Sequence, residues 1–325
     1  MKRKGNLYKE ICSTENLDIA EQNARRGKAN KKSVRDFNAE REKNIDALRE
    51  RLETRTFRTS EYRSFTVYEP KKREIDALPH SDNVVDHAII QVLGPIWRST
   101  FTSDTYACIK GRGLHQANRK IRRAFMTDGG NMRYCLSTDI QKFYASIDHG
   151  KLKSIVRRKI KCKETLWLLD EIIDSHPGVP IGRYISPYLA NLYLTGWDHK
   201  VKEHLKVRHY YRYNDNMLFF SDSKIELHSV LHAMREEMSA LKLEINPSWQ
   251  IFPTESRGVD FCGYVFYPTH TLLRKSIKKR IFRRKEMSEQ SIAAYNGWLK
   301  WCDSVNLKRK IEQKYKNKKQ WTTPT

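Results

Sequence analysis

A run of thirteen residues, His209–Ser221 (HYYRYNDNMLFFS), limits the folds open to this chain more than any other stretch. Two aromatic-rich apolar runs flank Asn214-Asp215. Tyr and Phe favour strands, and Asn and Asp tolerate the positive φ that tight turns need. The pattern predicts an antiparallel hairpin of Tyr210–Tyr213 and Asn216–Phe220 with Asp215 at its tip. A carboxylate at the tip of a buried hairpin is costly unless something pairs with it. Asn-Asp-Asn is also ordinary turn chemistry, so the hairpin alone does not separate a structural role from a functional one. The rest of the chain decides.

The charge asks for a partner. The 325 residues carry 62 Lys+Arg against 38 Asp+Glu, a net charge of +24 and a pI of about 9.8. An excess of that size points to a polyanion. Half of it lies in Thr271–Thr325, with 16 Lys/Arg against four acids. A membrane surface would also attract it, but there is no long apolar run and no lipidation motif. Nucleic acid is therefore the expected partner and no membrane is. The six cysteines have no zinc-ligand spacing and no signal peptide opens the chain, so reduced, buried thiols in a cytoplasmic protein are expected. His228 and His232 are four apart with no third ligand nearby, and read as ordinary histidines.

Length allows one large domain or two to three subdomains. Leu17, Ile19 and Ala20 suggest a short helix in a polar, basic N-terminal segment, and Asp36–Arg55 has helical spacing. Arg63–Glu69 alternates as a strand, then a basic turn Pro70–Arg73 leads to a second strand, Glu74–Leu78. Residues 82–97 read as a buried helix ending near Gly94-Pro95. TYACIKGRGLH (residues 105–115) is a Gly-punctuated basic loop opening a helix over 116–126. It is either solvated or phosphate-binding. Tyr134–Ile140 reads as a strand with Asp139 at its apolar end. Leu152–Ser175 is mostly helical, PGVPIG (177–182) breaks it, and Ser186-Pro187 starts another helix. After a helix over 226–241 come short strands at 243–245 and 249–252, a strand pair or turn at 258–266, and basic helices from Leu273 onward. Trp298, Leu299 and Trp301 supply an apolar patch there.

Two acids stand out, Asp139 and Asp215, each at the end of a predicted strand. Two carboxylates on adjacent strands repel unless a cation lies between them. Mg²⁺ takes hard oxygen ligands and shares them with phosphates. Two such ions about 4 Å apart activate a 3′-hydroxyl and stabilise a leaving pyrophosphate. The expected chemistry is that of a polymerase or nuclease, with Lys71–Arg73 and Lys110–Arg112 on a triphosphate and the C-terminal helices on a duplex backbone. A nuclease usually shows more carboxylates than these two.

STDIQKFYASIDH, PIGRYISPYLANLYL, RYNDNMLFF and GVDFCGYVF, in that order, resemble a bacterial reverse transcriptase of the group II intron, retron and diversity-generating retroelement kind. FCGYVFYPTHTLLRKSIKKR and TYACIKGRGLH resemble the diversity-generating branch most. The resemblance covers roughly Phe65 to Arg284. It implies an α+β right-hand fold of fingers, palm and thumb, the palm a small antiparallel sheet backed by helices. The implied segments are a basic helical extension (1–60), fingers (61–135), palm (136–268, with an insertion at about 150–180) and a short basic thumb (269–325). It implies Mg²⁺ (or Mn²⁺) at Asp139, Asp215 and, weakly, Asn216. Tyr144 matches the aromatic gate beneath the incoming deoxynucleotide, with Arg73, Arg112 and Gly182 also at the dNTP. Ser186, Pro187, Tyr213, Phe261, Gly263, Lys275, Lys278 and Lys279 fall at template and primer.

Three positions depart from the family pattern. Asn216 stands where the family has a second aspartate, so one metal site loses a charge. Ala145 stands where many relatives have proline. Ser186-Pro187 follows the intron-like pattern, whereas close retroelement relatives often have glutamine after the serine. Two readings follow: RNA-directed DNA synthesis on a structured template, or a weakened relative that holds RNA without copying it. Implied partners are the RNA template, the RNA/DNA duplex and a small basic accessory protein. No nuclease or maturase domain is expected after the thumb.

Overall fold

The structure, a computed structural model, describes residues 3–68 and 72–315. In chain order it contains α1 (Tyr8–Cys12), α2 (Thr14–Arg25), α3 (Lys32–Ala39), α4 (Arg41–Glu53), β1 (Arg63–Val67), β2 (Arg73–Ala77), α5 (His80–Arg98) and α6 (Leu114–Asp128). Next come β3 (Tyr134–Thr138), α7 (His149–Arg157), α8 (Lys163–Asp174), α9 (Ser186–His199), the hairpin β4 (His209–Tyr213) and β5 (Asn216–Ser221), and α10 (Lys224–Ala240). The chain continues with β6 (Gln250–Pro253), α11 (Thr254–Arg257), β7 (Val259–Phe261), β8 (Tyr264–Phe266), β9 (Thr271–Leu273), α12 (Lys275–Arg283), α13 (Glu289–Leu299) and α14 (Val305–Tyr315).

Two compact units interleave along the sequence. One comprises Met1–Ser103, Ile140–Lys200 and Arg235–Glu244, the other Asp104–Asp139, Val201–Met234 and Ile245–Thr325. A linear division into four segments therefore does not coincide with them. The first unit is built on α5, whose Val84, Val85, Ala88, Ile89, Leu93 and Trp97 are fully buried. Helix α2 packs along it through Leu17, Ala20 and Ala24. Asn16 Nδ2 donates to the Ala88 carbonyl at 3.1 Å, and Ser13 caps α2 by accepting from Asn16 N.

The second unit holds two antiparallel sheets, one in the order β4-β5-β3-β6 and the other β7-β8-β9. The first sheet has apolar residues on both faces. Tyr211, Leu218, Phe220 and Cys135 pack with Ala117, Ile121 and Phe125 of α6 and with Val259, Phe261, Tyr264 and Phe266 of the second sheet. Tyr210, Phe219, Leu136 and Met217 are fully buried on the opposite face. Among the described residues no helix is long and apolar enough to cross a membrane.

Several predicted elements differ. The helix expected over 36–55 is two, broken at Glu40 (φ −127°, ψ 49°), and Asn44 Nδ2 takes the Phe37 carbonyl across the break at 2.9 Å. The helix over 152–175 is also two. Between them Lys4 pairs with the backbone of Lys159 and Lys161 at 2.8 Å each, which withdraws those groups from the helix. Helix α5 does not stop at Gly94-Pro95 but runs to Arg98, because the buried Trp97 outweighs the amide hydrogen lost at Pro95. Leu243–Ile245 makes only a single β-bridge, at Ile245, and no strand. Lys242 adopts φ 57°, and Leu243 N bonds the Met238 carbonyl at 2.8 Å, closing α10 in a Schellman manner. Strand β9 was not expected; it pairs Thr271–Leu273 with β8. Four cysteines are buried as expected, but Cys108 is exposed. Pro70 and Lys71 of the basic turn lie outside the described residues.

Candidate active site

The hairpin closes with a two-residue turn, Tyr213 pairing with Asn216 and Asn214 taking φ 54°. Asn is among the few non-glycine residues that enter this region at modest cost. Strand β3 lies beside β5, its last pair being Thr138 with Met217. One step further, the same register sets Asp139 across from Asn216, with Asp215 next in the turn. The register thus places the backbone of Asp139 beside the Asp215-Asn216 turn at one end of the four-stranded sheet, all within the second unit.

The two acids are half-buried and Asn216 is exposed. Asn216 Nδ2 donates to Asp215 Oδ1 at 3.0 Å, which leaves the amide oxygen of Asn216 turned from that carboxylate. Asp139 is held by Asn246. Its carbonyl accepts from Asn246 N at 2.9 Å, and its Oδ2 accepts from Asn246 Nδ2 at 3.2 Å. Asn246 Oδ1 in turn accepts from Ser248 N at 3.0 Å, which fixes the amide with its NH₂ toward the acid. No sequence signal marked Asn246, 107 residues from its partner. The donor set is two carboxylates and an amide oxygen. That suits Mg²⁺ or Mn²⁺, which need only one or two carboxylates when substrate phosphates complete the shell. Among the described residues no three His, Cys, Asp or Glu side chains converge into a self-sufficient metal cage.

The basic loop after Thr105 is tied to the hairpin. Arg212 N donates to the Asp104 carbonyl at 2.8 Å and Tyr106 N to the Arg212 carbonyl at 3.0 Å. Arg112, expected on phosphate, directs Nη1 to the Thr105 carbonyl at 3.1 Å, which folds the loop back on itself. Phe261 immediately precedes the β7–β8 turn and Gly263 lies in it. Cys262 (φ 49°) and Gly263 (φ 86°) form a two-residue turn of the I′ kind. A Cβ on Gly263 would lie 2.5 Å from Trp298 Cζ3, so the close approach of α13 requires glycine. Burial pushes the Cys262 thiol up to about 12. Phe261 and Gly263 were expected at the primer, but the Phe261 side chain is in the core and Gly263 is buried against Trp298, with Cys262 half-buried between them. Tyr213 is half-buried against the same core. On α12, Lys275 and Lys279 are exposed and Lys278 half-buried.

The remaining expected residues belong to the first unit. Arg73 is exposed at the start of β2. Gly182 (φ 124°) abuts β2 so closely that a Cβ would lie 2.9 Å from Ile75 Cγ2, and the Ile181 carbonyl accepts from Asp76 N at 2.8 Å. Tyr144, half-buried in a 3₁₀ turn (Phe143–Ser146), has its carbonyl on Val179 N at 2.8 Å. Ser186 is fully buried, so the expected template contact is corrected: its side chain is part of the packing at the start of α9, beside the half-buried Pro187. The anchor of this loop was not foreseen. Arg183 and Asp86, both buried, pair through Nε at 2.9 and 3.0 Å, and Arg183 Nη1 reaches Tyr62 Oη at 3.1 Å and Ser175 Oγ at 3.3 Å. Burial raises the Asp86 carboxyl above its ordinary range although Arg183 opposes the shift.

Comparison with known proteins bears on this geometry. The pattern of the family described as reverse transcriptase (RNA-dependent DNA polymerase) matches residues 69–266. Protein YkfC of Escherichia coli K12 is 29% identical over 135 residues, which are 38% of this chain and 35% of YkfC. The group II intron-encoded protein LtrA of Lactococcus lactis is 26% identical over 139 residues, 39% of this chain and 22% of LtrA. The matched region thus spans about a third or less of either relative. Among solved structures, apo telomerase from Candida tropicalis superposes with a TM-score of 0.50 at 13% identity, covering 65% of this chain and 48% of that one. That likeness is one of fold, the right-hand polymerase fold.

Proposed function

From a chain that belongs to the reverse transcriptase (RNA-dependent DNA polymerase) family, we propose an enzyme that copies a structured RNA template into DNA by metal-assisted nucleotidyl transfer. The observation that supports this reading is the strand order and register that put Asp139 next to the Asp215-Asn216 turn at one end of the β4-β5-β3-β6 sheet. Bound Mg²⁺ or Mn²⁺ ions would activate the primer 3′-hydroxyl and stabilise the departing pyrophosphate. Asp139 and Asp215 supply the anionic oxygens that hold them, and Asn246 fixes the aim of Asp139. Asn216 contributes a neutral oxygen, so the site holds one charge fewer than a three-aspartate set. By its motif position Tyr144 is assigned the role of excluding a 2′-hydroxyl on the incoming nucleotide. Arg73 contacts phosphates of the template or nucleotide. The β7–β8 turn as a whole meets the primer strand, with Tyr213 packed into the same core, and Pro187 meets the template. In this reading β1–β2 belongs to the fingers (61–135), the two-acid sheet to the palm (136–268) and α12–α14 to the thumb (269–325), whose Lys275, Lys278 and Lys279 grip the duplex backbone without reading sequence. A small basic accessory protein that helps hold the template belongs to the same reading, as does a cytoplasmic site of action.

Primer extension on an RNA template tests it. The native protein is expected to extend slowly, and Asn216→Asp to raise the rate about tenfold or more by restoring the missing charge. Product from Asn216→Asp alone would show a disabled native site. No product from either, with salt-sensitive RNA binding intact, would leave an RNA-binding module.

A further inference from the structure

Arg212 is one of the largest fully buried side chains in the protein, and the reading above gives it no task. Burying a guanidinium is costly unless its N–H groups find acceptors. Nη1 donates to the Asn214 carbonyl at 3.0 Å, and Nη2 approaches Thr105 Oγ1 at 3.5 Å. The Asn214 carbonyl belongs to the peptide that carries Asp215. Because Asn214 is in the left-handed region (φ 54°), that peptide plane is held in a minority orientation for a residue with a side chain. The main chain of Arg212 meanwhile clasps the segment that leads into the basic loop, through Asp104 and Tyr106 and an isolated bridge to Thr105. One residue therefore touches both the turn bearing the acid and the root of the 105–113 loop.

We propose that Arg212 is a positioning residue: its buried guanidinium locks the Asn214–Asp215 peptide and thereby sets the aim of the Asp215 carboxylate toward a divalent cation. Arg is suited to this because its rigid fork reaches two acceptors from a fixed plane, which the flexible ammonium of Lys does not. The proposal deepens the polymerase reading and rests on it.

The test compares Arg212→Lys, Arg212→Met and Thr105→Val with the native full chain. Thermal unfolding establishes that each variant is folded, Mn²⁺ binding by the free protein is followed by electron paramagnetic resonance, and dNTP-dependent primer extension is separated into kcat and KM. Arg212→Met is expected to weaken Mn²⁺ binding and lower kcat by about tenfold or more, as loss of a supporting residue around a metal site does. KM for dNTP should hold, and Arg212→Lys should fall between. If Arg212→Met does not fold, Arg212→Lys and Thr105→Val carry the comparison, with the same direction and smaller size. Folded variants that bind Mn²⁺ and turn over like the native protein would overturn the proposal. Asp139→Ala serves as the control. If it abolishes Mn²⁺ binding while the Arg212 variants change nothing, only the proposal fails. If Asp139→Ala leaves both readouts intact, the polymerase reading fails and takes the proposal with it.

Discussion

Alanine at Asp139 or at Asp215 is expected to lower primer extension by about a thousandfold or more while leaving RNA affinity unchanged. The size follows from what the two carboxylates do together. They are the anionic oxygens at the end of the sheet, and a preorganised electrostatic contribution of that kind is usually the largest in a site. RNA affinity should hold because it comes from Lys and Arg on the phosphate backbone, and the chain keeps its net charge of +24 to within one unit. Extension assays paired with salt-titrated binding check both halves. Unchanged extension in either variant would remove these acids from the chemistry. Asp139→Asn should be milder in fold but not in activity, since the Asn246 amide donates as readily to a neutral oxygen.

The second large effect lies in the other unit. Arg183→Met is expected to destabilise the protein by about 3–5 kcal/mol, because it strands Asp86 in the core without its counter-charge. The Asp86 carboxyl already sits above its ordinary range through burial, with Arg183 pulling it down. Without Arg183 it rises further and binds a proton more readily. The penalty should therefore shrink as pH falls and the acid becomes neutral, which is the opposite of the behaviour of a simple cavity. The double variant Asp86→Leu/Arg183→Met should recover most of the loss. Urea unfolding across pH reads all three. Equal losses at every pH would mean that packing, not charge, anchors the Gly182 loop.

The parts of the fold that were legible in the sequence are those with local signals. The hairpin declared itself by aromatic runs around an Asn-Asp turn, β3 by its apolar run into Asp139, and α9 by Ser186-Pro187 followed by an apolar face. The reverse transcriptase resemblance rested on the same stretches. What was hidden depends on partners distant in the chain. Asp86 reads as an ordinary helix residue until Arg183, 97 positions later, reaches it. Asn246 and Arg212 look like loop and strand polar residues, and only the tertiary fold brings one to Asp139 and the other to Thr105. The break at 158–162 is likewise decided by a tertiary group, Lys4, that helical periodicity does not see, whereas the break at Glu40 is bridged locally by Asn44 on the Phe37 carbonyl. Phe261 and Ser186 were matched to template and primer by position in a motif, whereas their side chains are spent on the core.

Central to the proposed chemistry are two acids, 76 residues apart in the chain, sharing divalent cations at one end of a small sheet. Anomalous diffraction from crystals of the protein with Mn²⁺, a primer–template and a non-reacting dNTP analogue tests this most directly. A Mn²⁺ peak within coordination distance of both Asp139 and Asp215 is the predicted result. Peaks bound elsewhere, or the two carboxylates facing opposite sides of the sheet, would contradict it.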